Sequence, residues 1–227
     1  MNDPLDESTI EFKRIWIRKE ANIPQEGTDM FFVDPAFTLK QTNDFAGLIV
    51  TRITSEGVIY ILEALKLKVD PHDLINEIFR IHVLYPKIVK TFIETTAAQI
   101  MLATLLRKEM IKRGKFFTIE EYMPSTTEKK ATRIRGLIPY YAAGAIVHRM
   151  GLNDLENELL EFPRNTHDDL IDALSQGVTV WRPPTKKFER KESPEGSLNW
   201  WIKEKLDKPR MMRVGQGLFR DLMGTRF

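Results

Sequence analysis

The sequence predicts an α/β fold, with a mixed five-stranded sheet and helices on both faces. Three strand-like runs come first, at residues 30–37, 45–53 and 58–65, and short loops join them. Strands joined by short loops are antiparallel neighbours. Two further strands, at residues 88–94 and 116–123, each follow a helical stretch. Because helical crossovers return the chain in its original direction, these two strands should run parallel to the first.

Helix signals lie between and after the later strands. Asp70 is a suitable N-cap, and Pro71 suits the first helical position. A second helix should follow residue 94 and end at Gly114, since glycine is favoured just beyond a helix C-terminus. Three antiparallel strands, then helix, strand, helix and strand, is the ribonuclease H-like order. Later helices are predicted at residues 126–142, 152–162 and 167–180.

The charge is unevenly distributed along the chain. The net charge is +2, yet residues 181–227 hold 12 Lys/Arg and 6 Asp/Glu, whereas residues 1–180 hold 22 and 26. A basic tail on an acidic body suits either contact with an anionic partner or simple solubility. The predicted divisions are a lead-in segment at 1–28, with a short helix near 11–20, a domain at 29–180, and a basic, partly flexible tail at 181–227.

The composition excludes several classes of protein. The 227 residues include no cysteine, so disulfides, thiolate metal sites and cysteine nucleophiles are excluded. No apolar run approaches the roughly 18 residues needed to cross a bilayer, so no membrane contact is expected. The sequence has neither a Gly-x-x-x-x-Gly-Lys-Ser/Thr phosphate-binding loop nor a Gly-x-Ser-x-Gly elbow.

Four acids end or interrupt apolar runs. Asp34 and Glu94 end predicted strands, while Asp169 and Asp172 lie three residues apart in a predicted helix and so share a side of it. Buried carboxylates lose hydration, and several of them together repel one another. A divalent cation compensates both effects, and carboxylate-rich oxygen sites suit Mg²⁺ or Mn²⁺. This pattern points to two-metal phosphodiester chemistry.

Asp34, Glu94 and the acids that begin the last helix also have a purely structural interpretation. Asp168 and Asp169 suit the first turn of a helix, where the helix dipole favours acids. Asp34 precedes Pro35 and suits a turn, and Glu94 suits an exposed strand end. Taken together, the acids favour the metal interpretation, because the predicted topology brings them to one edge of the sheet.

A cluster of basic residues precedes the last acidic motif. It comprises Lys129, Lys130, Arg133 and Arg135, all in one predicted helix. These side chains suit contacts with a phosphate backbone, but they also suit an ordinary solvated helix face. Their position just before the acids favours the phosphate interpretation.

The acid-bearing segments resemble the nuclease domain of the large terminase subunit of tailed bacteriophages. The resemblance covers about residues 29–180. It lies in Phe31-Phe32-Val33-Asp34-Pro35-Ala36, Phe92-Ile93-Glu94, residues 129–133 with Gly144, and His167-Asp168-Asp169-Leu170-Ile171-Asp172-Ala173-Leu174. It implies a ribonuclease H-like endonuclease, related to Holliday-junction resolvases, that cuts concatemeric double-stranded viral DNA during genome packaging.

The resemblance also implies roles for individual residues. The catalytic acids would be Asp34, Glu94 and Asp169, with Asp168 and Asp172 as further metal ligands. These acids would hold two Mg²⁺ or Mn²⁺ ions at the usual separation of about 3.5–4 Å. The residues implied to bind DNA are Lys129, Lys130, Arg133 and Arg135.

The partners implied by the resemblance are double-stranded DNA, the small terminase subunit and the portal, in a packaging complex in the host cytoplasm. The ATPase motor that precedes the nuclease in this family is not expected in this chain. Two other interpretations stay open. One is a resolvase or transposase on the same fold, and the other is a non-catalytic DNA- or portal-binding module whose acids are helix caps.

Overall fold

The computed structural model describes residues 10–35, 45–94, 100–123, 129–164 and 168–182. In these residues the chain forms one seven-stranded mixed sheet, with the strand order β1-β7-β4-β3-β2-β5-β6. The strands are β1 (Arg18–Glu20), β2 (Thr28–Asp34), β3 (Ala46–Ile53), β4 (Ile59–Leu67), β5 (Ile88–Glu94), β6 (Ile119–Tyr122) and β7 (Ile146–Arg149).

Helices connect and cover these strands. They are α1 (Pro71–Leu84), α2 (Ile100–Arg113), α3 (Lys130–Arg135), α4 (Ile138–Ala142), α5 (Asn153–Glu161), α6 (Asp169–Ser175) and α7 (Gly177–Val180). The Asp70 carboxylate accepts a hydrogen bond from the backbone amide of Asp73 and caps α1, as predicted. None of the described helices has both the length and the apolar character needed to span a bilayer.

The pairing pattern confirms the predicted fold class. β2, β3 and β4 form an antiparallel unit, and β5 and β6 run parallel to β2. One apolar cluster packs α1 and α2 against one face of the sheet, and a second packs α3 to α6 against the other. All eight residues of β3 are buried as a result.

The predicted strand count of five is too low, because two short strands lie beyond β4. The predicted helix near residues 11–20 is wrong: a 3₁₀ turn at Arg14–Trp16 is followed by β1, which pairs with β7. Strands of three and four residues are too short to show an alternating pattern. Phe12, in the predicted lead-in segment, is buried in the same apolar cluster as α3 to α6.

One predicted helix and the predicted start of the tail also differ from the structure. The single helix expected at 126–142 is divided into α3 and α4. Pro139 has no backbone N–H and so cannot donate a hydrogen bond to the preceding turn. Trp181, placed in the predicted tail, is 5% exposed and donates to the Thr51 hydroxyl. The remainder of the predicted tail, from residue 183, lies outside the described residues.

Candidate active site

Three acids from three separate elements meet at one edge of the sheet. Asp34 ends β2, Glu94 ends β5, and Asp172 lies in the first turn of α6. One carboxylate oxygen from each lies within 4.8 Å of the other two. All three residues are nearly buried, with exposed fractions of 9%, 8% and 3%. We call these residues the acid cluster.

The strand register explains why Asp34 and Glu94 meet. β2 and β5 are parallel, and Val33 pairs with Ile93, so the next residue on each strand is the acid. Alternation along a strand places Asp34 on the same face as Phe32, and Glu94 on the same face as Phe92. Phe32 and Phe92 stack within the cluster that packs against α6. Both acids therefore face α6.

A glycine allows α6 to lie close to the sheet. Gly47 on β3 is directly opposite Asp34. A β-carbon at Gly47 would clash with the backbone carbonyl of Asp169 and crowd the side chain of Ala173. The missing side chain lets the first turn of α6 rest on β3, which carries Asp172 to the other two acids.

Burial and mutual repulsion disfavour ionisation of these acids. Burial, followed by the charges of Glu94 and Asp172, raises the pKa of Asp34 well above its usual range. Burial, followed by the charge of Asp172, also raises the pKa of Glu94. In both cases Lys130 acts in the opposite direction. A fully ionised cluster therefore needs additional positive charge nearby.

Two cations from α3 supply part of that charge. Arg133 Nη2 donates to both oxygens of Asp172, at 2.8 and 3.0 Å, and lies 4.0 Å from Glu94. Lys130 Nζ lies 2.6 Å from Asp168 Oδ1 and 3.4 Å from Asp172 Oδ2. Burial opposes the charge on Lys130, but Asp172 and Asp168 outweigh it and raise the pKa of the ammonium.

The predicted acids 168 and 169 flank this cluster. Asp168 makes no side-chain capping bond at the start of α6, which argues against its interpretation as a cap. Asp169 lies close enough to raise the pKa of Asp34. Among the described residues, nothing donates a hydrogen bond to its buried Oδ2, although Lys66 Nζ is 3.4 Å away. Asp172, and not Asp169, is the helix acid that is grouped with both strand acids within 4.8 Å.

The four predicted DNA-binding residues do not share one environment. Lys129 is exposed at the start of α3. Lys130 and Arg133 turn toward the acids, and Arg135 makes a two-point ion pair with Glu11 at 2.7 and 2.8 Å. The four residues therefore do not form a single basic helix face.

Several side chains at the site were absent from the sequence prediction. Gln176 donates to Glu94 Oε2 at 3.3 Å, and Lys66 and Glu158 contact the first turn of α6. Gln176 lies four residues after Asp172, so helical spacing alone could have indicated it. Nothing in the sequence signals Lys66 or Glu158, because their contacts depend on tertiary packing.

The donor set suits a hard divalent cation. The acid cluster offers only carboxylate oxygens, as Mg²⁺ and Mn²⁺ prefer. The buried Asp169 Oδ2 without a hydrogen bond adds a nearby oxygen that a cation could satisfy. In the described part of the chain, Lys130 and Arg133 are the cations whose charges lower the pKa of these strand acids.

The raised pKa values predict how metal-free stability depends on pH. An acid whose folded pKa is raised contributes stability at low pH, and this contribution is lost as the pH rises through the folded pKa. With chelator present, the melting temperature of the wild type relative to D34N should fall as the pH rises above about 4, the ordinary pKa of an aspartate, because the pKa of Asp34 is raised in the folded protein. Thermal melts of both proteins measure this difference, and parallel curves would contradict it.

Comparison with known proteins identifies the family. The sequence profile described as the terminase RNaseH-like domain matches residues 32–179. A search of curated proteins finds no significant match. The matched segment contains all three members of the acid cluster.

Solved structures share the fold. The nuclease domain of the P22 large terminase is 13% identical, with a TM-score of 0.56 over 74% of this chain and 89% of that one. A variant nuclease domain of the Sf6 large terminase, with manganese and β-thujaplicinol, is 12% identical. Its TM-score is 0.51 over 68% of this chain and 89% of that one.

A longer relative is also similar. The large terminase of the thermophilic bacteriophage D6E, in complex with ADP, is 9% identical, with a TM-score of 0.51 over 72% of this chain. The present chain spans only 42% of that protein. The fold and the profile match agree, and this chain therefore belongs to the terminase RNaseH-like domain family.

Proposed function

We propose that this chain is the metal-dependent DNA endonuclease of a viral large terminase subunit, and that it cuts concatemeric double-stranded DNA during genome packaging. The convergence of Asp34, Glu94 and Asp172 within 4.8 Å carries this proposal. The family match supports it, and related nuclease domains have been solved with magnesium and with manganese.

Asp34, Glu94 and Asp172 would hold the metal, with Asp169 and Asp168 contributing from the same end of α6. Two bound Mg²⁺ or Mn²⁺ ions would supply Lewis-acid activation of water and of the leaving oxygen for phosphodiester hydrolysis. The protein's own contribution is to hold the carboxylates in a buried, preorganised arrangement. Gln176 would orient Glu94 through its amide hydrogen bond.

The cations of α3 would meet the DNA backbone. The Lys130 side chain is 40% exposed, so its ammonium could exchange an acid partner for a phosphate. Arg133 is 10% exposed and is better placed to hold Asp172 in position. Lys129 and Arg135 complete the proposed DNA-binding set. Phosphate contacts carry no base information, so we expect weak sequence preference in cleavage.

The larger assembly is also part of this proposal. An ATPase motor elsewhere in the same protein, the small terminase subunit and the portal would be partners, in the host cytoplasm. The nuclease domain would occupy about residues 29–180, preceded by a lead-in segment and followed by the basic tail. β1 shows that part of the lead-in segment also belongs to the sheet.

Incubation with plasmid DNA tests the proposed activity. We expect linear and nicked products with Mn²⁺, and no products when a chelator is present, because the carboxylates need a divalent cation to act. Equal cleavage with and without chelator would point to a contaminating nuclease. Intact plasmid in Mn²⁺, with DNA affinity retained, would favour the non-catalytic binding module.

The products also separate this proposal from a resolvase or transposase. A terminase nuclease should cut linear duplex at least as well as a four-way junction. Joined products, or a strong preference for junctions, would instead indicate one of those enzymes.

A further inference from the structure

A buried acid from the neighbouring helix holds the start of α6. Glu158 on α5 is 6% exposed. Its Oε2 accepts the backbone amides of Leu170 and Ile171, at 2.9 and 3.1 Å. The first amides of a helix have no partner within the helix, so a carboxylate here satisfies them and interacts favourably with the helix dipole.

A lysine connects Glu158 to the site. Lys66 Nζ lies 2.7 Å from Glu158 Oε1 and 3.4 Å from Asp169 Oδ2. The two carboxylates therefore share one ammonium, whose side chain is only 17% exposed. Lys66 therefore links Glu158 to Asp169 through two ion pairs.

The strand register places Lys66 in the same cross-strand row as Asp34. Gly47 pairs with Asp34 on one side and with Lys66 on the other, so the three residues form a row across β2, β3 and β4. Gly47 leaves a gap between the two side chains. The first turn of α6 fills this gap, with the Asp169 backbone against Gly47. Glu158 and Lys66 hold that turn from the side opposite the acid cluster.

We propose that Glu158, acting with Lys66, is a positioning residue that sets the α6 acids against Asp34 and so controls metal affinity. This rests on the proposed metal site. Glu158 is not a member of the acid cluster, and it acts through the backbone of Leu170 and Ile171. Loss of a side chain that orients metal ligands typically weakens metal binding about 10- to 100-fold.

The same helix provides a matched control. Glu156, two residues earlier on α5, is 8% exposed and pairs with Lys19 on β1 at 2.5 Å. It resembles Glu158 in burial and in having a lysine partner, but its described partners are Lys19 and His148, neither of which is in α6. E156A should therefore lose stability without losing metal affinity.

The test compares Mn²⁺ titration calorimetry and amide hydrogen exchange for the full chain, E158A, E158Q and E156A. In E158A we expect a dissociation constant for Mn²⁺ about 10- to 100-fold higher and faster exchange at Leu170 and Ile171. In E158Q the amide oxygen still accepts both backbone bonds, so its affinity should lie between E158A and wild type. E156A should bind Mn²⁺ as the wild type does.

The outcomes separate this inference from the proposed function. Wild-type affinity in E158A, or an equal loss in E156A, overturns the positioning role and leaves the nuclease proposal intact. A wild type that binds no Mn²⁺ overturns both. If E158A does not fold, an affinity of E158Q equal to that of the wild type overturns the positioning role.

Discussion

Replacing Asp34 with asparagine should abolish cleavage while stabilising the metal-free fold. Asp34 is one of the three acids whose carboxylate oxygens meet within 4.8 Å, and its loss removes several kcal/mol of transition-state stabilisation, or about a thousandfold in rate. The variant should melt at a higher temperature than the wild type in chelator, because burial and Glu94 raise the pKa of Asp34 and oppose its charge. Plasmid cleavage and thermal melts measure both effects.

A second buried aspartate on the same strand provides the control. Asp29 is fully buried, and its two oxygens accept from Arg52 at 2.6 and 2.7 Å. D29N breaks a compensated pair, so it should lower the melting temperature and leave the metal site in place. Metal-dependent cleavage by D34N, or a melting temperature below that of the wild type, would contradict the role assigned to Asp34.

Replacing Asp172 with asparagine should also abolish cleavage, but it should destabilise the protein. Arg133 is 10% exposed and makes its closest ion pair with Asp172. Removing one partner of a buried pair leaves an uncompensated charge, which costs about 3 kcal/mol. Chemical denaturation in the presence of chelator measures this loss. D34N and D172N should therefore shift stability in opposite directions although both are inactive.

The double variant D172N/R133M separates charge from catalysis. Removing Arg133 together with its partner should recover part of the stability lost in D172N. The recovered part measures the interaction energy between these two contacting residues. Cleavage should stay absent, because the acid cluster still lacks a member. The contrary result is that R133M lowers the free energy of unfolding by the same amount in the D172N background as in the wild type. In that case the Arg133–Asp172 ion pair would not be the cause of the stability lost in D172N.

Pattern and topology were sufficient to predict much of the fold. β2 to β5 are long, apolar and bounded by turn or cap residues, and their order dictates the parallel and antiparallel pairings. β1 could not be predicted, since three residues show no periodicity and the strand pairs only with β7 among the described strands. For β7 the sequence at residues 144–147 indicated only a turn and a short extension, and its place between β1 and β4 depends on tertiary pairing.

Part of the site follows from the same reasoning. Asp34 and Glu94 end buried strands that the topology makes adjacent, so their meeting is predictable. The choice between Asp169 and Asp172 is not, because it depends on how α6 rotates and how closely it approaches the sheet. Gly47 leaves the space for that approach, and Glu158 on α5 accepts a hydrogen bond from the first turn of α6; both are features of tertiary packing.

Diffraction from crystals containing Mn²⁺, recorded at the manganese absorption edge, tests the central claim most directly. Anomalous peaks are expected between the carboxylates of Asp34, Glu94 and Asp172, and two adjacent peaks would support the two-ion chemistry. A map without a peak there, with Asp172 still paired to Arg133 and Lys130, would show that protein cations alone balance these acids and would contradict a metal-dependent nuclease.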